Sequence, residues 1–427
     1  MKLGWLQIFR LGLVQLCLGA VVVLTTSTLN RLMTVELALP AVLPGLLVAL
    51  HYGIQISRPA WGLRSDTRGN RTLFIVGGMA VLSLGAFLAA VAITVMGAHF
   101  WLGLALSVFA YVLIGLGVGS SGTSLLALLA TATEPRRRAA AATITWLMMI
   151  FGIAATAGTV GALLDPYGPA RLLWIVGTVT LGAVVLTAVA VAGIERKVQA
   201  VSGSEERVPL RQGLAEIWRE PKARSFTLFI FLSMTAYFLQ ELILEPYAGL
   251  VFGFTPGQST QLSGLQNGGV FLGMLTVGIA LSGLRLGSLR VWVIAGCLGS
   301  AVALAVLAGA AGAGPQVLQA ATMALGFFNG VFAVAAIGAM MALAGEGREA
   351  REGARMGMWG AAQALAAGFG GLLGAGAADA LRLVLPDATA FGLVFLAEAA
   401  LFVIAALMAA GVVSAARPSP RAVIAGE

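Results

Sequence analysis

Long uninterrupted runs of apolar residues, separated by short clusters that hold most of the charge, are the first pattern along this chain. Runs of about 18 or more apolar residues can cross roughly 30 Å of hydrocarbon as helices. Twelve can be drawn, near 10–29, 38–60, 72–94, 101–130, 142–163, 171–193, 225–247, 260–282, 291–312, 315–343, 357–379 and 390–413. They predict an all-α polytopic membrane protein with twelve transmembrane helices. A chain that is 59% hydrophobic and only 10% charged is too apolar to be soluble without lipid, so membrane lipids are its first partner.

Charge tests the count independently. Placing successive loops on alternate sides puts 23 of the 26 Lys and Arg residues on one side, leaving Arg31, Arg171 and Arg382 on the other. The positive-inside rule makes the rich side cytoplasmic, which puts both termini in the cytoplasm and requires an even number of spans. The net charge of +8 is therefore a topology signal and not a nucleic-acid surface. The first run has no obvious small-residue cleavage site after it, and no removable signal peptide is expected. Cys17 and Cys297 fall in different spans without metal-ligand spacing and read as apolar filler.

The longest polar insertion, 195–224, divides an N-terminal six-helix half (1–194) from a C-terminal one (225–413), with a cytoplasmic tail at 414–427. Within it, "VPLRQGLAEIWREP" places Leu210, Leu214, Ile217 and Trp218 at helical spacing, as an amphipathic cytoplasmic linker helix or a partner-binding helix. The halves look like distant copies: Asn30 to His51 spans the same distance as Glu245 to Gln266. Two six-helix halves with internal repetition are the plan of the major facilitator superfamily, which relates them by a pseudo-two-fold axis. After span two, "GLRSDTRGNR" places Gly62, Asp66, Gly69 and Arg71 as in that superfamily's G-x-x-x-D-x-x-G-x-R loop. The glycines permit a tight turn, and Asp66 can cap a helix or pair with an arginine.

A charge at mid-bilayer costs roughly 2.5–3.5 kcal/mol on insertion scales, so each one needs a reason. Span seven carries Tyr237, Glu241 and Glu245 on one helical face, with Gln240 beside them. Pro246 biases Glu245 away from helical geometry and frees the Leu242 carbonyl, so the helix is expected to end or bend there. Three readings stand side by side: a solvated interfacial acid, a proton relay through Glu241 or Glu245, or a ligand contact at the break. In span one, Thr25, Thr26, Thr28 and Asn30 precede Arg31, which either snorkels to the interface or pairs with a carboxylate. His51 lies on span two, with Gln55 one turn later. Its imidazole can bind a transition metal or the magnesium of a chlorin, or simply bond between helices. No other metal ligand set is apparent.

"LNRLMTVEL", "RPAWGLRSD" and above all "QELILEPYAG" resemble the PucC/LhaA group, the bacteriochlorophyll delivery family of the major facilitator superfamily. The family's motifs fall on Asn30 and Arg31, on Arg58 to Asp66, and on Gln240 to Gly249. The resemblance covers roughly residues 5–415. It implies a multi-pass protein of the inner, intracytoplasmic photosynthetic membrane of purple bacteria. Such a protein would bind or deliver bacteriochlorophyll a or a precursor. Its implied partners are light-harvesting or reaction-centre polypeptides, or pigment-synthesis enzymes such as bacteriochlorophyll synthase or geranylgeranyl reductase. The pigment-binding candidates are then His51, Gln55, Tyr237, Gln240, Glu241 and Glu245. The rivals are a proton-coupled transporter of an amphipathic solute and a pigment-free scaffold. An enzyme is not expected, because no nucleophile–base constellation or cofactor motif is present.

Overall fold

The computed structural model describes residues 3–58, 61, 70–134, 137–195, 218, 220–284, 286–345 and 352–413. Gly62, Asp66 and Gly69 of the loop motif, residues 196–217 and 219 of the linker 195–224, and the tail 414–427 lie outside these residues. Helices are α1 (Trp5–Glu36), α2 (Val42–Ile54, with a 3₁₀ turn Gln55–Ser57), α3 (Arg71–Met96), α4 (Phe100–Ala132), α5 (Arg138–Leu164) and α6 (Pro169–Val191). They continue as α7 (Pro221–Leu239), α8 (Leu244–Phe252), α9 (Pro256–Gly278), α10 (Leu289–Gly309), α11 (Pro315–Gly345), α12 (Glu352–Arg382) and α13 (Asp387–Val412). Among the described residues, 11 helices are long and apolar enough to cross a membrane, and the second expected span is the shorter apolar helix Val42–Ser57. Large apolar side chains such as Leu181, Val189, Val302 and Leu407 stay exposed, as lipid-facing positions require, while small and hydroxyl-bearing residues line the helix contacts.

The chain groups into two compact units. One takes the first six helices together with Leu244–Asn267, and the other takes α7 and the chain from Gly268 on. In the first unit α3 packs along α4 and α6, and α1 along α5 and α6. In the second, α10 packs against α11 and α13, and α7 against α12 and α13. Close approach depends on absent side chains: a Cβ on Gly296 of α10 would stand 2.6 Å from the Phe332 backbone nitrogen of α11.

Two departures from the expected spans have physical causes. Span one was expected to end near residue 29 but stays helical to Glu36, because Thr25, Thr26, Ser27, Thr28, Asn30 and Thr34 are buried. Thr25 and Thr34 return their hydroxyls to carbonyls of their own helix, on Val22 at 2.7 Å and Asn30 at 3.1 Å. The stretch includes two π turns, Leu24–Thr28 and Leu32–Glu36, and the Tyr111 hydroxyl of α4 donates to the Thr25 carbonyl at 3.1 Å. Span seven breaks as expected, but at Gln240–Ile243, ahead of the proline. Glu245 itself is helical, and Pro246 sits in the first turn of α8, where its missing N–H costs nothing.

The internal repeat extends to the turns. Ala38 after α1 and Gly253 after α8 both have positive φ, 49° and 67°, at the offset that separates Asn30 from Glu245. Each closes its helix with the same long backbone bond, Leu39 N–H to Met33 carbonyl and Phe254 N–H to Ala248 carbonyl.

Candidate functional site

The costly polar residues of span one and of the second piece of span seven meet inside the first unit. The second π turn follows Arg31, whose guanidinium is 2% exposed. It does not snorkel. It donates through Nη1 to Glu36 at 2.5 Å, through Nη2 to the Phe254 carbonyl at 2.7 Å and through Nε to the Ser259 hydroxyl at 3.3 Å. The positive φ at Gly253 turns the chain out of α8, and the Phe254 carbonyl then reaches Arg31. Thr28 and Thr260 stand 3.3 Å apart at their hydroxyls.

Glu245 is 3% exposed, which removes the reading of a solvated interfacial acid. The Ser27 hydroxyl, in the first π turn, donates to its Oε1, and Ser263 supplies a second side-chain bond. Arg31 adds an opposite charge nearby, yet Oε2 has no hydrogen-bond partner among the described residues. A buried carboxyl with one oxygen held and one free can accept a donor or exchange a proton. Asp165, in the loop before α6, fastens the entry to α9 by accepting from the Gly257 N–H at 3.1 Å and from the Thr255 hydroxyl. Thr255 caps that helix, and its own N–H is returned to Gln258 at 3.0 Å. Tyr167, outside the spans, has its phenol pushed up by burial and then by the Glu36 carboxylate, against a smaller pull from Arg31.

His51 lies on α2, 1% exposed, with Nδ1 3.0 Å from the carbonyl of Val48 in its own helix. Since a carbonyl only accepts, Nδ1 carries the proton and Nε2 keeps a lone pair in the neutral ring. The backbone here is pressed on α4: a Cβ on Gly115 would stand 2.7 Å from the His51 carbonyl. Gln55 is 7% exposed and accepts from Arg58 through Oε1, so its amide oxygen is already engaged. Arg71 donates to the Ala127 carbonyl at 3.2 Å and to Thr131.

The candidates divide between the two units. Asn30, Arg31, His51, Gln55 and Glu245 belong to the first unit, whereas Tyr237, Gln240 and Glu241 belong to the second. Sequence reasoning missed Ser27, Ser259 and Ser263, which only a fold places against Arg31 and Glu245. It missed Glu195, which caps α3 by accepting the Arg71 and Thr72 N–H groups at 2.7 and 2.8 Å. It also missed Glu398, whose signal was plain: one acid inside the apolar run "FLAEAALF".

The chain matches the family model described as PUCC protein over residues 28–417. It is 73% identical over 429 residues, covering 100% of both chains, to the "Bacteriochlorophyll synthase 44.5 kDa chain" of Rhodobacter capsulatus. It is 27% identical to the "Protein PucC" of Cereibacter sphaeroides, covering 90% of this chain and 86% of that one. A crystal structure of a POT family transporter superposes with a TM-score of 0.69 at 13% identity, covering 95% of this chain and 96% of that one. At that identity the likeness shows the fold alone, which is the all-helical fold of the major facilitator superfamily. A multi-pass membrane chain with this fold, matched along nearly its whole length, belongs to the PUCC protein family.

Proposed function

We propose that the chain is a photosynthetic assembly factor that binds bacteriochlorophyll or a precursor. It delivers the pigment to light-harvesting or reaction-centre polypeptides, or exchanges it with pigment-synthesis enzymes. The observation that carries this reading is family membership over residues 28–417, joined to 73% identity with a protein named as a bacteriochlorophyll synthase chain. The role is one of handling and not of catalysis. The chain resides in the inner, intracytoplasmic photosynthetic membrane with both termini cytoplasmic.

His51 supports the reading chemically. A neutral imidazole of this kind would hold the magnesium of a chlorin, and metal-binding histidines commonly donate their other ring N–H to a backbone carbonyl. Nδ1 against the Val48 carbonyl at 3.0 Å leaves Nε2 for that role. Because His51 is 1% exposed, pigment reaches it only when α2 parts from its neighbours. Glu245, whose Oε2 has no partner among the described residues, is the second candidate, as an acceptor or, when protonated, a donor to a ring carbonyl.

The test is the absorption spectrum and pigment extraction of protein purified in mild detergent from a bacteriochlorophyll-producing host. The expected result is a stoichiometric bacteriochlorophyll band, lost or shifted in H51L and reduced in E245Q. Pigment no higher than in an unrelated membrane protein from the same host refutes the reading. A band unchanged in both variants removes these two residues as its ligands.

A further inference from the structure

Glu398 lies in α13 with 0% exposure, and neither carboxyl oxygen has a hydrogen-bond partner among the described residues. Buried acids kept for structure are normally satisfied by donors, and an unpaired one is worse for stability than a leucine.

Two neighbours share its level in the second unit. Phe402, one turn beyond Glu398, meets Phe332 of α11 edge to face at 6.1 Å. Spans ten and twelve run in the same direction, so Asn329, one turn before Phe332, stands at the level of Glu398. The Asn329 side chain is 0% exposed; its Oδ1 accepts from Ser300 of α10 at 2.8 Å, and its Nδ2 has no partner among the described residues. Helix α10 runs antiparallel to α13: a Cβ on Gly392 would stand 3.0 Å from the Ala308 carbonyl. Continuing that register at equal rise brings Ser300 to the level of residue 400. Among the described residues, a buried donor without an acceptor and a buried acid without a donor therefore stand at one level of the second unit, on helices that both pack against α10.

A shallow, largely apolar groove of about 310 Å³ between α10 and α13, lined by Ala308, Gly309, Gly392, Leu393 and Leu396 among others, lies on the outer face of α13, away from Glu398. Two turns before Asn329 on the same face, the Thr322 hydroxyl is also buried and has no partner among the described residues.

We propose that Glu398, with Asn329 and Ser300 behind it, is a proton-exchange site of the second unit. The ionised carboxylate takes a proton from hydronium, leaving water, and the neutral acid returns it to water. The Asn329 Nδ2–H is the donor that receives the carboxylate once the proton has gone. Other titratable groups on the packed helices are few. On α10 they are Cys297, buried one turn from Ser300, and Arg290 at the start. The described part of α11 has none. Helix α7 carries Lys222 and Arg224 near its start and Tyr237 near its end, α12 carries Glu352 and Arg355 at its start and Asp379 and Arg382 at its end, and α13 itself begins with Asp387. The proposal stands apart from pigment binding, and its test reads no pigment.

Infrared difference spectra of the full chain in lipid nanodiscs, taken as pH is cycled, report the carbonyl stretch of protonated carboxyls. The expected wild-type result is a buried-acid band that disappears reversibly as pH rises, is absent in E398Q and persists in E241Q and E245Q. N329L should displace the pH at which it disappears by about one unit, since it removes the donor that meets the carboxylate. A band that survives E398Q, or one assigned to Glu398 that never changes while the fold persists, overturns the proposal. Should E398Q fail to fold, N329L decides, and an unmoved transition overturns it.

Discussion

Replacing Arg31 with methionine preserves bulk and apolar length while removing every donor at the centre of the buried network. Two of its bonds, to the Phe254 carbonyl and the Ser259 hydroxyl, are buried at both ends. Interhelical hydrogen bonds in membrane proteins average about 0.6 kcal/mol and reach about 1.7. The third partner, Glu36, has a side chain 38% exposed, so this ion pair is screened and worth about 1 kcal/mol or less. The sum predicts that R31M loses roughly 2–4 kcal/mol, most of it from the two neutral acceptors rather than from the ion pair. Reversible unfolding in mixed micelles of rising dodecyl sulfate fraction, followed by circular dichroism, measures the loss. E36Q should cost about 1 kcal/mol or less, and a double-mutant cycle should give a coupling no larger than that. An R31M variant that unfolds within about 0.5 kcal/mol of wild type, or an E36Q variant that costs as much as R31M, refutes this assignment of the network's strength.

Ala38 and Gly253 occupy the same left-handed position of the repeat, so A38G should stabilise by up to about 1 kcal/mol and G253A should destabilise by about 1 or more in the same unfolding assay. G115A drives a methyl against the His51 carbonyl and is expected to cost about 1–3 kcal/mol, whereas G182A in α6 meets nothing within 4 Å and should be neutral or slightly stabilising. D165A removes acceptors from Thr255 and Gly257 and should lower stability by about 1–2 kcal/mol; hydrogen exchange should rise selectively in the first turn of α9.

The helices were legible because a run of apolar residues has only one way to satisfy its backbone in lipid. The break in span seven was legible from Pro246, and the repeat from the equal spacing of Asn30 to His51 and Glu245 to Gln266. The end of span one was misjudged because Thr25 to Arg31 is as polar as an interfacial segment. Only packing shows that these residues are buried among hydroxyls, a carbonyl and Tyr111. Likewise two of the partners of Arg31, at residues 254 and 259, come from far away in sequence, beyond the linker. Local pattern carries no information about such a pairing; it found Arg31 and Glu245 as anomalies but not the serines that make them tolerable.

The three intramembrane acids are held in three different ways, and this separates their chemistry. Glu245 has hydroxyl donors from Ser27 and Ser263 and the positive charge of Arg31 nearby, so its surroundings are built for a carboxyl with one free oxygen. Glu241, one turn earlier, lies in the unwound Gln240–Ile243 segment and is only half-buried, on the other side of the point where span seven passes between units. Glu398 has no donor at all among the described residues. An acid supported by neighbours can serve recognition in either protonation state, because its contacts persist. An unsupported one can hold charge only while water or a moved donor is present. On the proposed reading, recognition of a polar group on the pigment is assigned to the Glu245 network and His51, and proton exchange to Glu398. Isosteric E245Q and E398Q should accordingly impair different measurements, pigment retention in the first and the pH-dependent infrared band in the second.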